Sequence, residues 1–471
     1  MPSDRAERLR AIHHQLIKLT QAWALRRKFD LERARDLRAA AILLNHAHYL
    51  ETIPAYRRFA REEGIDQLDA IEPIKRRLML PDDLFKSYDQ RWLDERDFAR
   101  MNIWLSEIHH RRIDVDVAGV SSIDAWIERL DQSGTRLVYS SGTSGNFSFI
   151  PRDTANWNLF RLASTCYLAP LLMREKVGTG WQRSLVRLGC LLLSPTAFVA
   201  ISRAMRARDY DAVFLDFQRG RTGNQTLEQE LAPLFRKHFF LYETNLSPSV
   251  LRLLSRGAKT REDQEQLMKL QEVTLGRKEY NYRRVIERLQ QSTADGQQVF
   301  IFGTTHQYKE LCETILDHHT PIALNKGSLV LFGGGWKSFT GERIPRDRLV
   351  AMLSESLGLS PERILEGYSM TEINAFTLRC DYGRFHIPPF IEPVIFDKEL
   401  APIEGEDLRG VFGFLDPLAV SYPGFIISGD EVHFVNGKCA CGLIGPAVTE
   451  IGRARAREIK GCGGIMASLA A

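Results

Sequence analysis

The stretch from residue 299 to 368 constrains the fold most, because strand and helix patterns alternate there in short steps. Val299-Phe300-Ile301-Phe302 is an unbroken apolar run of the kind that forms a buried strand. A helical pattern follows over Gln307 to His318, then a strand over Ser328 to Phe332 and a helix over Arg346 to Leu357. Arg363 to Leu365 forms a last short strand before Gly367. This strand–helix repetition with short turns predicts a parallel α/β sheet. Ligand-binding loops of such a sheet belong at the carboxyl ends of its strands, where Gly333, Gly334, Gly335 and Tyr368 fall.

A second segment carries chemistry. Val138-Tyr139 leads into Ser140, Ser141, Gly142, Thr143, Ser144 and Gly145, and Arg152 follows seven positions later. Glycine lets successive backbone N–H groups turn inward, a concavity that holds phosphate oxygens. The hydroxyls add donors, and a guanidinium suits phosphate. A plain Ser/Gly turn between two strands has the same composition, so the segment alone leaves both readings open.

Further along come Gly367-Tyr368-Ser369-Met370-Thr371-Glu372 and Ile427-Ser428-Gly429-Asp430. The three segments, in this order, resemble the adenylate-forming superfamily of acyl- and aryl-CoA ligases. That resemblance implies a loop, Ser140 to Gly145, wrapped round the ATP phosphates and Tyr368 stacked on adenine. It also implies Thr371 at the α-phosphate, Glu372 as the Mg²⁺ ligand and Asp430 on the ribose hydroxyls. Each role suits its residue: an aromatic face for a base, a hard oxygen for Mg²⁺, an acceptor pair for a diol.

Within the superfamily the chain is most similar to the acyl-protein synthetases of bacterial bioluminescence fatty-acid reductase complexes, from about residue 50 onward. The likeness rests on the Ser/Gly loop with Pro151-Arg152-Asp153, on Gly333-Gly334-Gly335-Trp336-Lys337, and on Cys462 within Glu458-Ile459-Lys460-Gly461-Cys462-Gly463. Pro54-Ala55-Tyr56-Arg57, His386-Ile387-Pro388-Pro389, Cys439-Ala440-Cys441-Gly442 and Gly452-Arg453 are similar to the phenylacetate-CoA ligase branch. The implied fold is α/β, with parallel α/β sheets, a small antiparallel β subdomain at about 380–450 and a helical N-terminal region. The expected division is a helical region 1–110, a core 111–452 and a tail 453–471 carrying Cys462. CoA ligases of the superfamily continue past the Gly-Arg segment as a mobile lid with a catalytic lysine. The sequence ends eighteen residues after Arg453 and lacks the hinge acid there, so no full lid domain is expected.

Acyl transfer then needs another group. A carboxylate joined to AMP has a good leaving group that a thiolate can attack. Cys462 is the candidate: it lies nine residues beyond Arg453, a reach of roughly 30 Å when extended. Glycines at 461, 463 and 464 leave it sterically open, and Lys460 with the arginines at 453, 455 and 457 favours the thiolate. Lys337 is a candidate substrate or phosphate contact or else a loop lysine; Trp336 sits where a Walker loop needs glycine. His306, after Gly303-Thr304-Thr305, is a substrate contact or a satisfied loop histidine.

Composition narrows the classes. The 63 cations and 59 anions are too balanced for a nucleic-acid binder. The richest apolar run, Leu188 to Ile201, is broken by Ser194-Pro195 and reads as core rather than as a membrane span. Seven cysteines in 471 residues make no disulfide framework, and with no secretory signal at the start the expected location is cytoplasmic. Cys439 and Cys441 make half a zinc site at most, with no nearby Cys-His pair to complete it, while Cys166, Cys190, Cys312 and Cys380 read as core. Leu9, Ile12, Leu16 and Leu19 recur at helical spacing among basic residues, a solvated outer helix or a docking face. The charged interval 255–295 reads as exposed helices.

Three functions stand. The first is an ATP- and Mg²⁺-dependent acyl-protein synthetase that forms acyl-AMP from a fatty acid or similar carboxylic acid. It places the acyl group on Cys462 and passes it to a partner such as a reductase. The second is a ligase that delivers the acyl group to CoA or a carrier protein. The third is a non-catalytic nucleotide-binding scaffold, against which Thr371, Glu372 and Asp430 weigh.

Overall fold

The computed structural model describes residues 3–27, 29–140, 146–175, 207–317, 321–336 and 342–454, with positions 184, 188 and 194–196. Helices dominate its first part: Ser3–Ala24, Leu31–Thr52, Pro54–Glu62, Phe98–Ile108 and Ile123–Gln132. Local chemistry sets their starts. The Asp30 and Ser122 side chains cap free N–H groups, and Pro54, which lacks an N–H, opens the third helix. Leu9, Ile12 and Leu16 are buried, so the apolar stripe of the first helix faces the interior rather than solvent or a partner. Strand β1 (Leu80–Pro81) is short, and β2 (Thr135–Ser140) and β3 (Ser148–Asp153) pair antiparallel on either side of the Ser/Gly segment in sequence.

Strands β4 (Ala207–Arg219), β5 (Phe235–Asn245), β6 (Gln298–Thr304), β7 (Leu329–Gly333), β8 (Ile364–Tyr368) and β9 (Thr377–Leu378) make one sheet in the order 5-4-6-7-8-9. All neighbours are parallel except β9, which returns antiparallel to β8. This is the α/β sheet the alternation predicts, and the helix over Arg346–Leu357 lies where its pattern places it. The helix Lys278–Ala294 corrects the exposed reading of 255–295. Its Tyr282, Val285 and Leu289 are buried against the sheet, although Arg261–Gln271 buries nothing. Of the apolar run 188–201, only Leu188 and residues 194–196 are described, and Leu188 is exposed.

Strands β10 (Phe385–His386), β11 (Glu392–Phe396), β12 (Pro402–Ile403), β13 (Asp407–Leu415), β14 (Phe425–Val435) and β15 (Ala447–Arg453) form an antiparallel sheet in the order 10-15-14-13-11-12. Its apolar face shares one core with the N-terminal helices, where Tyr49, Tyr56 and Phe425 pack ring against ring. Polar ties reinforce the seam. Arg38 donates to the Pro389 carbonyl at 2.7 Å, and Glu392 is paired with Arg38 and with Lys75. β1 joins this sheet parallel to β14, with Leu80 opposite Ile426 and Pro81 opposite Ile427. That register carries residue 82 to the site. No helix among the described residues is long and apolar enough to cross a membrane.

Candidate functional site

Gly333 and Gly367 face each other where β7 and β8 end, so close that a Cβ on Gly333 would sit 2.9 Å from the Gly367 carbonyl. Gly334 and Gly335 continue with positive φ, a turn that suits glycine. Tyr368 follows at the end of β8. Its hydroxyl donates to Asp430 Oδ2 at 2.9 Å, and its ring packs edge-on to Phe385. Asp430 lies opposite Arg453 on β14 and β15, and Arg453 Nη1 is 3.2 Å from its Oδ1. Gly429 permits this convergence: a Cβ there would meet Arg453 Nη1 at 3.1 Å and Asp82 Oδ2 at 3.4 Å.

Glu372 is buried, at 7% exposure. Burial, then the nearby Asp82 charge, pushes its carboxyl up to about 7, against hydrogen bonds from its own backbone and Thr371, with Asp430 adding to the rise. Burial and neighbouring acids, Asp430 among them, raise Asp82 as well, against Lys86 and Arg453. Asp82 and Asp430 both disfavour the ionised form of Glu372, a balance that the charge of a divalent cation would reverse. Glu372 and Asp82 offer hard carboxylate oxygens of the kind that can hold Mg²⁺.

The backbone that presents Thr371 and Glu372 rests on a buried polar network. Arg152, at 3% exposure, donates from Nη2 to the Thr371 carbonyl at 2.7 Å and to the Tyr422 hydroxyl at 3.2 Å. Tyr422 donates in turn to the Glu372 carbonyl, and Asn374 donates to Tyr422 and, from N and Nδ2, to Asp416 Oδ2. Arg152, expected at phosphate, is here engaged with the backbone of the acid segment. Its guanidinium is enclosed by Trp157, Phe160 and Tyr422, and through Nη2 it positions the acid segment.

Ser140 ends β2 beside that segment. Tyr139 bridges Thr222, and a Cβ on Gly223 would sit 2.9 Å from Thr371 Cγ2. Ser141, Gly142, Thr143, Ser144, Gly145, Lys337 and Cys462 lie outside the described residues. His306 is half-buried at the carboxyl end of β6, its Nδ1 3.0 Å from the Thr304 hydroxyl, and burial lowers its pKa. Tyr368, Thr371, Glu372, Asp430 and Arg453 thus converge. Asp82, Asn374, Asp416 and Tyr422 escaped the sequence reading. The Asp416-Pro417 turn was the one local signal among them, and Asp82 had none.

A second cluster corrects another expectation. Cys380 is not core but half-buried, and with His386 it completes a four-residue group around Cys439 and Cys441.

Residues 277–470 match the sequence profile of the family described as Acyl-protein synthetase, LuxE. Over 191 residues, 40% of the chain, the sequence is 24% identical to a long-chain-fatty-acid–luciferin-component ligase of Vibrio harveyi. It is 21% identical over 200 residues to the ligase of that name from Aliivibrio fischeri. The matches span about half of each relative, 50% and 53%. In fold the chain is similar to an open conformation of 2-hydroxyisobutyryl-CoA ligase in complex with 2-HIB-AMP and CoA. The TM-score is 0.50 at 14% identity, covering 90% of this chain and 75% of that one.

Proposed function

From a chain that carries the acyl-protein synthetase family's sequence over residues 277–470, we propose an enzyme that activates a long-chain carboxylic acid with ATP and transfers the acyl group to Cys462. In the first half-reaction a carboxylate oxygen attacks the α-phosphorus, giving acyl-AMP and releasing pyrophosphate. In the second, the Cys462 thiolate attacks the acyl carbonyl carbon and AMP leaves, so that a thioester replaces the mixed anhydride. A partner protein such as a reductase then accepts the acyl group. The observation that carries this reading is the convergence of Asp82, Tyr368, Thr371, Glu372, Asp430 and Arg453 from separate segments, where the carboxyl end of β8 meets the β14–β15 pair.

The residues divide the work. Tyr368 offers its ring to adenine, and Asp430, already an acceptor for Tyr368 and Arg453, presents oxygens to the ribose diol. The Thr371 hydroxyl donates to the α-phosphate. The loop from Ser140 to Gly145, with Gly333 to Gly335, surrounds the triphosphate, while His306 and Lys337 lie toward the carboxylate. Glu372, with Asp82 beside it, would hold Mg²⁺, which when bound offsets phosphate charge.

The direct test is incubation of the full chain with ATP, Mg²⁺ and a panel of carboxylic acids from short to long. Carboxylate-dependent exchange of pyrophosphate into ATP is expected, together with a gain of one acyl mass on the intact protein. No exchange with any acid, alone or with a candidate acceptor protein, would leave the scaffold reading in its place.

Asp430→Ala tests the nucleotide site. A charged hydrogen bond is worth about 1.5–3 kcal/mol, so the KM for ATP should rise roughly 10- to 100-fold with folding intact. If 2′,3′-dideoxy-ATP serves the wild type as well as ATP does, the ribose assignment is wrong.

A further inference from the structure

Two tight turns meet at the outer edge of the antiparallel sheet. The first joins β9 to β10: Cys380 N–H donates to the Arg384 carbonyl, Gly383 N–H donates back to Cys380, and Gly383 has positive φ. It places Cys380 before His386, which pairs through β10 with Ala447 of β15. The second joins β14 to β15. Cys439 N–H donates to the Leu443 carbonyl, Gly442 N–H donates to Cys439, and Gly442 has φ of +92°. It carries Cys439 and Cys441.

The four side chains converge so that one ligand atom from each lies within 4.8 Å of the other three. Cys380 Sγ is 3.9 Å from Cys439 Sγ, and Cys441 Sγ is 3.3 Å from His386 Nε2. A tetrahedral zinc with bonds of about 2.3 Å to sulfur and 2.0–2.1 Å to nitrogen sets sulfurs about 3.8 Å apart and sulfur about 3.5 Å from nitrogen. The observed edges match that figure. All the cysteines here are free thiols. His386 is 5% exposed, and its other ring nitrogen, Nδ1, has no partner among the described residues.

We infer that Cys380, His386, Cys439 and Cys441 form a structural zinc site. Soft thiolates with one imidazole select zinc over the hard cations that suit Glu372. Four protein ligands fill a tetrahedron and leave no open position, so the ion ties turns together and performs no chemistry on substrate. Binding displaces the three thiol protons, and the resulting Zn(Cys)₃His unit carries one negative charge. The end of the first helix and the turn after it close over it. Arg26 Nε donates to the Cys441 carbonyl, Trp23 Nε1 donates to Ile444 O at 2.8 Å, and the Trp23 ring meets His386 edge-on. The β14–β15 pair fastened by this knot carries Asp430 and Arg453 at its other end.

Metal analysis of the full chain, purified without chelator from zinc-supplemented cells, decides the matter, and it does so whether or not the acyl-activation reading holds. About one equivalent of zinc per chain is expected, released when the thiols are modified with a mercurial. A Cys439→Ser/Cys441→Ser variant should lose it. Should that variant fail to fold, the wild type still answers. After zinc removal under reducing conditions, added Co²⁺ should give the thiolate charge-transfer and visible bands of a tetrahedral site, and zinc should abolish them. A reduced wild-type chain that holds no stoichiometric zinc and gives no such bands overturns the assignment, as does a Cys380–Cys439 disulfide in the native protein.

Discussion

Glu372→Gln is expected to lower carboxylate-dependent pyrophosphate exchange by roughly 100-fold or more, since metal stabilisation of phosphoryl charge is worth several kcal/mol. The same change should make the protein more stable at alkaline pH. The Glu372 carboxyl sits near 7 in the fold against an ordinary 4.5, so the folded state holds a proton that the unfolded chain releases. Stability from this group is full below about pH 4.5 and is lost as pH rises through about 7. By pH 8 the cost is on the order of 3 kcal/mol, and glutamine, which matches the shape without the charge, avoids it. Thermal unfolding of both proteins at pH 6 and pH 8, without added magnesium, should show the variant's advantage growing with pH. Wild-type exchange in the variant would remove Glu372 from the metal role. A variant no more stable than wild type at pH 8 would remove the buried-acid account.

Cys462→Ser should separate the two half-reactions. The proposed nucleotide site draws on residues 82 to 453, none of which the substitution alters, so acyl-AMP formation and pyrophosphate exchange should stay at wild-type rates. The acyl adduct should vanish: the wild type gains a hydroxylamine-labile acyl mass on the peptide containing Cys462, and the variant gains none. Arg453 ends β15, and nine further residues span roughly 30 Å when extended, a length sufficient for the proposed attack on the anhydride. If wild type and variant transfer acyl groups to CoA or a carrier protein equally fast, the direct-ligase reading replaces this one.

The parallel sheet was legible because its signal is local and periodic. Apolar runs such as Val299 to Phe302 and the helix over Arg346–Leu357 declare themselves within a dozen residues, and the triglycine must follow its strand. Tyr368, Thr371, Glu372 and Asp430 were legible for a different reason. Each lies in a short motif whose order along the chain resembles a known arrangement, and side-chain chemistry restricts the roles each can take.

Partnership between distant segments was not legible. Arg152 reads as a phosphate ligand because its charge follows a Ser/Gly loop. Only the packing of β3 against the segment after β8 shows its guanidinium buried under the carbonyls it holds. Asp82 joins Glu372 through the two-residue pairing of β1 with β14, too short to leave a pattern. The cysteine cluster makes the same point. The sequence presents Cys439 and Cys441 as half a site, and Cys380 with His386 sits in a different turn, brought near by the β10–β15 register. Hydrophobic periodicity and motif order thus determined the sheet and singled out the motif residues that gather at its strand ends, because these depend on neighbours along the chain. Which charges are buried, which acids repel and which thiols meet depends on strand register, and that was decided by the tertiary structure alone.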